Sequence, residues 1–251
     1  MEVVSSGCHG WVLLATVLIA LSVGAEANAN SVYSPCMDTT VLKNDGFTLG
    51  LVIASNRSFF LNRVQLSPCD LRLQDSLRDG KIALFRPKVD EISLLLVNHT
   101  ELNPENFEGG GYAVAYAGKK QAVVSAPHFL ANSSYRITSL SLVMDFDQGR
   151  LRSILWKNDG CKSCHGNSSF VCVRGECAIR STNCKEAGGI VDCSLSIQLT
   201  WSGTDQRQQV LSSWYQMSNL NQYSLYGLYS NLKSTLTSQF NFIIRSTKWS
   251  N

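Results

Sequence analysis

The sequence lacks the short motifs that mark several common classes of enzyme. None of its 251 residues forms an H-E-x-x-H zinc motif, a G-x-S-x-G nucleophile turn or a phosphate-binding P-loop. Histidine is scarce, with four in the chain, and His99, His128 and His165 stand in none of these patterns. The three glycines at 109–111 have no helix pattern after them, so they predict a loop rather than a phosphate cradle. We find no convincing active site among the motifs.

The sequence has a single long apolar run. The run from Trp11 to Val23 is thirteen uncharged residues long. It is too short for a bilayer, which needs about 20 residues, but it suits the core of a signal peptide. The small residues of AEANAN predict cleavage after Ala27 or Ala29, although Lys and Arg are missing before the run. We expect residues 1–27 to be a signal peptide, with an uncleaved anchor or a buried helix as the alternatives.

Residues 28–251 are expected to form a single secreted β-rich domain with no membrane span after cleavage. Four N-x-S/T sequons agree with this route, since N-linked sugar is added in the secretory pathway. Their acceptors are Asn56, Asn98, Asn132 and Asn167. We expect these asparagines to lie on solvated loops or strand ends.

The cysteines predict a disulfide framework. Eight of the nine lie beyond the expected signal peptide, and an even number in a secreted chain is typical of paired cysteines. They are Cys36, Cys69, Cys161, Cys164, Cys172, Cys177, Cys184 and Cys193. Because six of them are clustered, we expect the two separate ones, Cys36 and Cys69, to pair with each other. The other six allow fifteen pairings, which stay open.

The stretch Cys161-Lys162-Ser163-Cys164-His165 matches the C-x-x-C-H signature of haem attachment, and C-x-x-C is also a redox or zinc motif. All three uses need thiols or thiolates, whereas the secretory lumen oxidises thiols. Four neighbouring cysteines would also compete for the pair. We therefore expect disulfides, with no cofactor and no metal site, and keep a metal or redox module as the weaker hypothesis.

Alternating apolar residues from about residue 31 to 156 predict antiparallel strands with one buried and one wet face. Gly118-Lys119-Lys120 and Asp147-Gln148-Gly149 read as turns between strands. The run from Ile92 to Asn98 is apolar on both faces and predicts a central strand. The fold class expected is mainly β, as an antiparallel sandwich or a jelly roll. Representative buried-face residues are Phe47, Leu49, Leu51, Ile53, Leu140, Leu142, Met144 and Phe146.

Two further segments interrupt or end this pattern. Residues 160–193 have few large apolar side chains, so we expect a disulfide-stapled insertion packed on the sandwich. A helical spacing of leucines predicts a C-terminal helix over 222–238. We favour packing of this helix against the core as the role of the aromatic residues near it, with stacking on a sugar ligand as the alternative. They are Trp214, Tyr215, Tyr223, Tyr226 and Tyr229.

Several strings resemble a family of secreted plant proteins labelled Expp. They are SVYSPC, FRPKVDEISLL, SGTD and QYSLYGLYSNL, together with the cysteine cluster. The resemblance covers nearly the whole chain beyond the signal peptide. It implies secretion to the apoplast or cell wall, and it carries over no catalytic residue because that family has no established activity.

Charge and carboxylates give weaker signals. Removing Glu2 and Glu26 with the signal peptide would leave 17 acidic against 22 basic residues, a formal net charge of +5. Such a charge attracts long acidic polymers such as pectin in a salt-dependent way, or simply aids solubility. The local basic positions are Lys119, Lys120, Arg150 and Arg152, and without interleaved aromatic residues they do not indicate nucleic acid.

Asp145 and Asp147 share one strand face, which could bind a metal or catalyse glycoside cleavage. Asp147 also begins an expected turn, and we favour that role. The sequence as a whole predicts an extracellular, N-glycosylated, non-catalytic protein that binds cell-wall polysaccharide or a protein partner. The alternative is a secreted hydrolase acting on extracellular glycans, with carboxylates drawn from distant positions.

Overall fold

The structure is a computed structural model that describes residues 29–97, 106–157, 160–164 and 169–222. The expected signal peptide, residues 1–27, lies outside these ranges. The elements that follow are those of the described residues.

Fifteen strands and one α-helix follow one another along the chain. They are β1 (Leu49–Ser55), β2 (Phe60–Leu61), β3 (Val64–Gln65), β4 (Lys81–Phe85), β5 (Ser93–Val97), β6 (Gly111–Ala117), β7 (Val123–Val124), β8 (His128–Ala131), β9 (Tyr135–Ile137), β10 (Ser139–Asp147), β11 (Arg150–Lys157), β12 (Phe170–Val173), β13 (Glu176–Arg180), β14 (Leu195–Thr204), β15 (Val210–Leu211) and the helix α1 (Ser213–Gln222). Single turns of 3-10 helix lie at Asn56–Phe59, Leu71–Leu73, Gly160–Cys164, Ser181–Asn183 and Lys185–Ala187.

These strands form two main sheets and one small hairpin. The larger sheet has eight strands in the order β12-β13-β9-β8-β6-β1-β4, with β7 paired to β6. The smaller sheet has five strands in the order β11-β10-β14-β15, with β5 also paired to β14. Neighbours are antiparallel except β10 and β14, which are parallel. The parallel pair is possible because a long connection, which includes the cysteine-rich segment, separates β10 from β14.

The hydrophobic core lies between the two sheets. The ring of Phe47, just before β1, meets the rings of Phe146 in β10 and Trp201 in β14 at centroid distances of 5.4 and 5.7 Å. Along β14, the alternating side chains from Leu195 to Trp201 are buried in the same core. The prediction of a mainly β fold with antiparallel sheets is therefore confirmed, and the arrangement is sandwich-like.

Strand β1 differs from the expected alternation, since both of its faces are buried. Val52 and Ala54, which alternate with Leu51 and Ile53, are almost fully covered as well. Leu73 and Leu77, in and after the 3-10 turn Leu71–Leu73, are buried in the same core cluster. Covered on both sides, β1 has no wet face.

The prediction that Ile92–Asn98 forms a central strand was wrong. Strand β5 pairs only with β14 in the described structure and lies at an edge of the smaller sheet. Leu94 and Leu96 alternate with covered residues and are 48% and 68% exposed. An apolar run indicates side chains that avoid water on average, but a strand is buried on both faces only where another layer packs on each face of its sheet, and the face with Leu94 and Leu96 has none over it.

The cysteine-rich segment extends the larger sheet. Strands β12 and β13 form a hairpin, and β13 pairs with β9. The hairpin turns at Arg174 and Gly175, whose φ angles of 54° and 85° fit a two-residue type I′ turn. The prediction of a disulfide-bonded chain is confirmed. The pairs are Cys36–Cys69, Cys161–Cys172, Cys164–Cys177 and Cys184–Cys193.

A C-terminal helix is present, and it begins earlier than the leucine spacing indicated. Helix α1 starts at Ser213, while the predicted 222–238 helix lies outside the described residues beyond Gln222. Oδ1 of Asp90 accepts hydrogen bonds from the backbone N–H groups of Ser212 and Ser213 at 2.7 and 2.8 Å, which caps the helix start. None of the helices in the described ranges has the length and apolar character that crossing a membrane would require.

Candidate functional site

Three loops meet at one end of the sandwich. The loop around Cys36, from Pro35 to Val41, is tied to the core by the Cys36–Cys69 disulfide. The turn after β6 contacts this loop through the Gly118 N–H, which donates to the carbonyl oxygen of Pro35 at 2.7 Å. The β10–β11 turn contacts it as well, since the N–H of Val41 donates to the carbonyl oxygen of Gly149 at 2.9 Å. Residues far apart in sequence are thereby fixed beside one another.

The turn after β6 is further held by a carboxylate. Oδ1 of Asp38 accepts the backbone N–H groups of Lys119 and Lys120 at 2.9 and 2.8 Å. These bonds use the main chain of the two lysines and leave both side chains exposed. The predicted turn at Gly118-Lys119-Lys120 is therefore positioned by a residue that its own sequence does not reveal.

A groove runs between these loops. One part has a volume of about 520 Å³ and is lined by Met37, Asp38, Thr39, Thr40, Phe47, Ala117, Gly118, Lys120, Gln121, Arg150 and Leu151. A second part, about 650 Å³, is lined by Gln121, Ala122, Val123, Asp147, Gln148, Arg150, Leu151 and Arg152. The two parts lie side by side, because Gln121, Arg150 and Leu151 line both of them. Together we call them the end groove.

The end groove carries more positive than negative charge. Its cations are Lys120, Arg150 and Arg152, and its carboxylates are Asp38 and Asp147. Nη1 of Arg152 lies 3.5 Å from Oδ2 of Asp147, and both side chains are exposed. For Lys120 and Arg150, no ion pair is formed with any carboxylate of the described residues. The basic positions predicted from sequence thus come together in space, which their separation of some 30 residues did not indicate.

The predicted carboxylate pair does not form a catalytic or metal-binding arrangement. Oδ1 of Asp145 accepts a hydrogen bond from Oγ of Ser202 at 2.7 Å, while Asp147 faces Arg152. The turn role favoured for Asp147 agrees with its place at the end of β10. Among the described residues, the one cluster of three potential metal-ligating side chains consists of Cys184, Glu186 and Cys193. Its two sulfur atoms are joined in a disulfide, so they are not free thiolates.

The C-x-x-C stretch is divided between two disulfides. Cys161 pairs with Cys172, and Cys164 pairs with Cys177. Sulfur atoms in these bonds are not available to haem vinyl groups or zinc, and the two cysteines do not form the internal pair of a thioredoxin-like site. The haem, redox and zinc interpretations of the stretch therefore have no support. His165 lies outside the described residues.

Two of the four sequon asparagines fall in the described ranges. Asn56 is exposed in the 3-10 turn after β1. Asn132 is partly buried, and its Oδ1 accepts the N–H groups of Ser134 and Tyr135 at 2.9 Å each. Asn98 and Asn167 lie outside the described residues. Glycosylation at all four stays a prediction.

Of the five aromatic residues noted near the C-terminus, two lie in the described ranges. Tyr215 is 63% exposed on α1, and the Nζ atom of Lys157 lies 5.3 Å from the ring centre of Trp214. Tyr223, Tyr226 and Tyr229 lie outside the described residues. Trp214 and Tyr215 do not line the end groove.

A titratable pair lies inside the fold where β8 meets the cysteine-rich hairpin. Nε2 of His128 is 3.5 Å from Oε1 of Glu176, and the imidazole is 5.4 Å from the Trp156 ring. Burial lowers the pKa of His128 from its ordinary 6.5, because an apolar environment disfavours the charged imidazolium. The nearby carboxylate opposes this effect, but 3.5 Å is longer than a charge-assisted hydrogen bond, so burial dominates. Sequence reasoning missed the pair because 48 residues separate its members.

Comparison with known proteins identifies a family. The model of the family described as "Uncharacterised protein DDB_G0273449" matches residues 9–135 and 129–248, which together span most of the chain. The chain belongs to this family. DDB_G0273449 is named for a Dictyostelium protein, so the resemblance to the plant Expp family was wrong. No curated protein and no solved structure matches the chain.

Membership of the DDB_G0273449 family assigns no activity to any residue of the chain. It also removes the basis for placing the protein in a plant apoplast or cell wall. The candidate site is therefore the end groove, an open depression between three loops, with mixed polar and apolar lining and more cations than carboxylates. One feature of the sequence pointed to this groove: each of the two expected turns has a pair of basic residues within it or next to it.

Proposed function

We propose that this protein is a secreted, disulfide-bonded glycoprotein that binds an extracellular polysaccharide in the end groove without cleaving it. The observation that carries the proposal is that two open depressions lie side by side. They share three lining residues, and hydroxyl, amide and charged side chains are interspersed with apolar ones along both. A long polar chain can lie along an open polar depression, whereas a small apolar ligand is normally enclosed in an apolar cavity.

An extracellular location is supported by covalent chemistry and by sequence. Four disulfides join all eight cysteines of the described residues, and disulfides persist in oxidising compartments. The apolar run from Trp11 to Val23 suits a signal peptide, and the exposed Asn56 is accessible to glycosylation. The site of cleavage and the use of the sequons belong to the proposal.

Binding is favoured over hydrolysis by the carboxylates of the groove. Cleavage of a glycosidic bond needs two carboxyl groups that converge on it at about 5 to 10 Å from each other. Asp38 holds two backbone N–H groups with one oxygen, and Asp147 faces the guanidinium of Arg152. Both are thus used to position loops and charges, which leaves neither as an obvious acid or nucleophile.

The test is retention of the purified full-length protein on a panel of insoluble and immobilised polysaccharides. We expect salt-resistant or partly salt-resistant retention on at least one polymer, with no release of soluble sugar. The variant Gln121→Trp places a large side chain at the point where the two parts of the groove meet and should abolish retention. The control Thr182→Trp adds the same side chain at an exposed position in the cysteine-rich segment and should leave retention unchanged.

Three results would contradict the proposal. Release of soluble sugar would establish a hydrolase, and the carboxylates of the chain would then have to be substituted one by one. Failure to bind any polymer, or equal binding by Gln121→Trp, would remove the groove from consideration. A protein partner would then become the leading hypothesis.

A further inference from the structure

We infer that the polysaccharide taken by the end groove is anionic, and that its carboxylate or sulfate groups contact Lys120 and Arg150. This inference rests on the proposed function and specifies the class of ligand. It concerns the local chemistry of the groove, which the net charge of the chain does not determine.

The two cations are presented by rigid parts of the structure. Lys120 follows β6 in a turn whose N–H groups are held by Asp38, and Arg150 is the first residue of β11. The β10–β11 turn before Arg150 is held by Gly149, whose N–H donates to the carbonyl oxygen of Thr204 at 2.9 Å. Backbones held in this way reduce the entropy that binding must remove.

Their charges are not neutralised within the described part of the chain. Asp38 offers Oδ1 to the backbone of Lys119 and Lys120 rather than to a side chain, and Asp147 lies within ion-pair distance of Arg152. Lys120 and Arg150 therefore line a groove of about 520 Å³ with no carboxylate of these residues in contact. A guanidinium can bind a carboxylate or sulfate through two parallel hydrogen bonds, and an ammonium can serve as a point charge.

Among the described residues that line it, the groove has no exposed aromatic ring, the feature that recognition of neutral sugars commonly uses. An exposed aromatic ring would provide a face for sugar stacking. The one aromatic residue among the groove's lining residues is Phe47, which is 1% exposed and packs edge-on against Phe146 and Trp201. With that ring committed to the core, charge and hydrogen bonds remain as the sources of affinity. Thr39, Thr40 and Gln121 can supply the hydrogen bonds to sugar hydroxyl groups.

The test uses ligands that differ in charge alone. The full-length protein is titrated with polygalacturonate and with its fully methyl-esterified form, which keeps the sugar backbone and loses the carboxylates. Dextran sulfate and dextran form a second pair. We expect at least about tenfold weaker binding to the neutral member of whichever pair is recognised, as for the loss of a charge-assisted contact. Comparison of the two pairs shows whether the anion is a carboxylate or a sulfate.

The matching protein variants separate local charge from net charge. The double variant Lys120→Gln, Arg150→Gln should weaken binding to the acidic polymer by about tenfold for each cation. The control Arg78→Gln, Lys185→Gln removes two exposed cations elsewhere and gives the same net charge, so it should change binding less than about twofold. All four side chains are exposed, and equal thermal unfolding of the two variants will verify that both are folded.

The outcomes distinguish this inference from the proposed function. Equal binding to the acidic and esterified polymers overturns the inference and leaves polysaccharide binding in place. An equal loss in the control variant also overturns it, because the effect would then come from net charge. Failure to bind any polymer, acidic or neutral, contradicts the proposed function itself.

Discussion

A single glycine allows the loops of the end groove to meet. Gly149 has a φ of +78°, and a Cβ there would lie 2.6 Å from the carbonyl oxygen of Val41 and 2.8 Å from the backbone N of Gln206. Both contacts are with backbone, which cannot move aside as a flexible side chain could. The left-handed conformation and the close approach each require glycine.

We therefore expect Gly149→Ala to lower the free energy of unfolding by about 2 to 4 kcal/mol, from backbone strain together with the clash. The control is Gly188→Ala, since Gly188 has a similar φ of +85° but no atom within 4 Å of a built Cβ. It should lose about 1 kcal/mol. Urea unfolding of both variants measures the difference, and equal losses would show that the three loops are not closely packed.

The nearly buried carboxylate of Asp90 makes three contacts. Its Oδ1 accepts the N–H groups of Ser212 and Ser213, its Oδ2 lies 2.8 Å from Nζ of Lys43, and its side chain is 4% exposed. The sequence offered no reason to separate it from Glu91, whose pair with Lys88 is exposed. Neighbouring acidic residues therefore have very different expected contributions to stability.

We predict that Asp90→Asn lowers the free energy of unfolding by about 1 to 3 kcal/mol, because the charge at the helix start and the Lys43 contact are lost. Glu91→Gln, the adjacent control, should cost less than about 1 kcal/mol. Denaturant unfolding followed by circular dichroism provides both values. A loss for Glu91→Gln as large as that for Asp90→Asn would contradict the capping role.

His128 should make stability depend on pH. Its pKa is lowered by burial, so the unfolded chain binds a proton at this residue more readily than the folded one. The stabilisation due to the neutral imidazole is present above pH 6.5 and is lost as the pH falls below 6.5 towards the lowered pKa. Comparison of His128→Gln with the parent at pH 7.5 and pH 5 isolates this contribution.

The parent protein should lose more stability between these two pH values than His128→Gln does. Other groups titrate in both proteins and cancel in the comparison. An identical loss would mean that Glu176 offsets the effect of burial and keeps the imidazole charged in the fold.

At the scale of elements, the strand periodicity predicted the class of fold, while pairing decided the surroundings of each strand. The apolar residues of β14 alternate as expected and are buried, and Ser196 and Thr200 of the polar face are buried as well. β5 is more apolar in sequence, yet Leu94 and Leu96 are exposed because no other layer covers that face of the strand. Periodicity reports one strand at a time, and the order of strands in a sheet is a long-range property.

Cysteine pairing also depends partly on local sequence and partly on long-range structure. The separate pair, Cys36 and Cys69, could be predicted because the alternatives lay in one cluster. Within the cluster, the β12–β13 hairpin places Cys172 directly opposite Cys177, and each pairs with a cysteine of the preceding 3-10 turn. This connectivity needed the hairpin register, which the spacing of cysteines does not contain.

The disulfide of the end groove should affect binding as well as stability. Cys36→Ser, Cys69→Ser removes the anchor of the loop that contributes Asp38 and Thr39, and should cost about 2 to 5 kcal/mol of stability and most polymer retention. Removing Cys184–Cys193 in the same way should lower stability but leave the retention of the remaining folded protein intact. Retention assayed on folded fractions measures this, and equal retention by both variants would contradict the anchoring role.

At the scale of the whole molecule, the end groove could not be predicted from the sequence because three segments that are distant in sequence form it. Lys119-Lys120 and Arg150/Arg152 were recognised as basic, and both turns were expected. That Lys120, Arg150 and Arg152 line the same groove depends on the packing of β11 against β6 and β7, and on the loop carrying Asp38. Residue types can be predicted locally, but their convergence follows from the sandwich.

The most direct test of the end groove is hydrogen–deuterium exchange of the full-length protein with and without the bound acidic polymer. We predict slower exchange on binding in residues 37–41, 117–123 and 147–152, and unchanged exchange in β4 and β5 at the sheet edges. Protection of the β4 and β5 edges with no change in the three groove segments would contradict the account and move the binding surface to the exposed apolar strands.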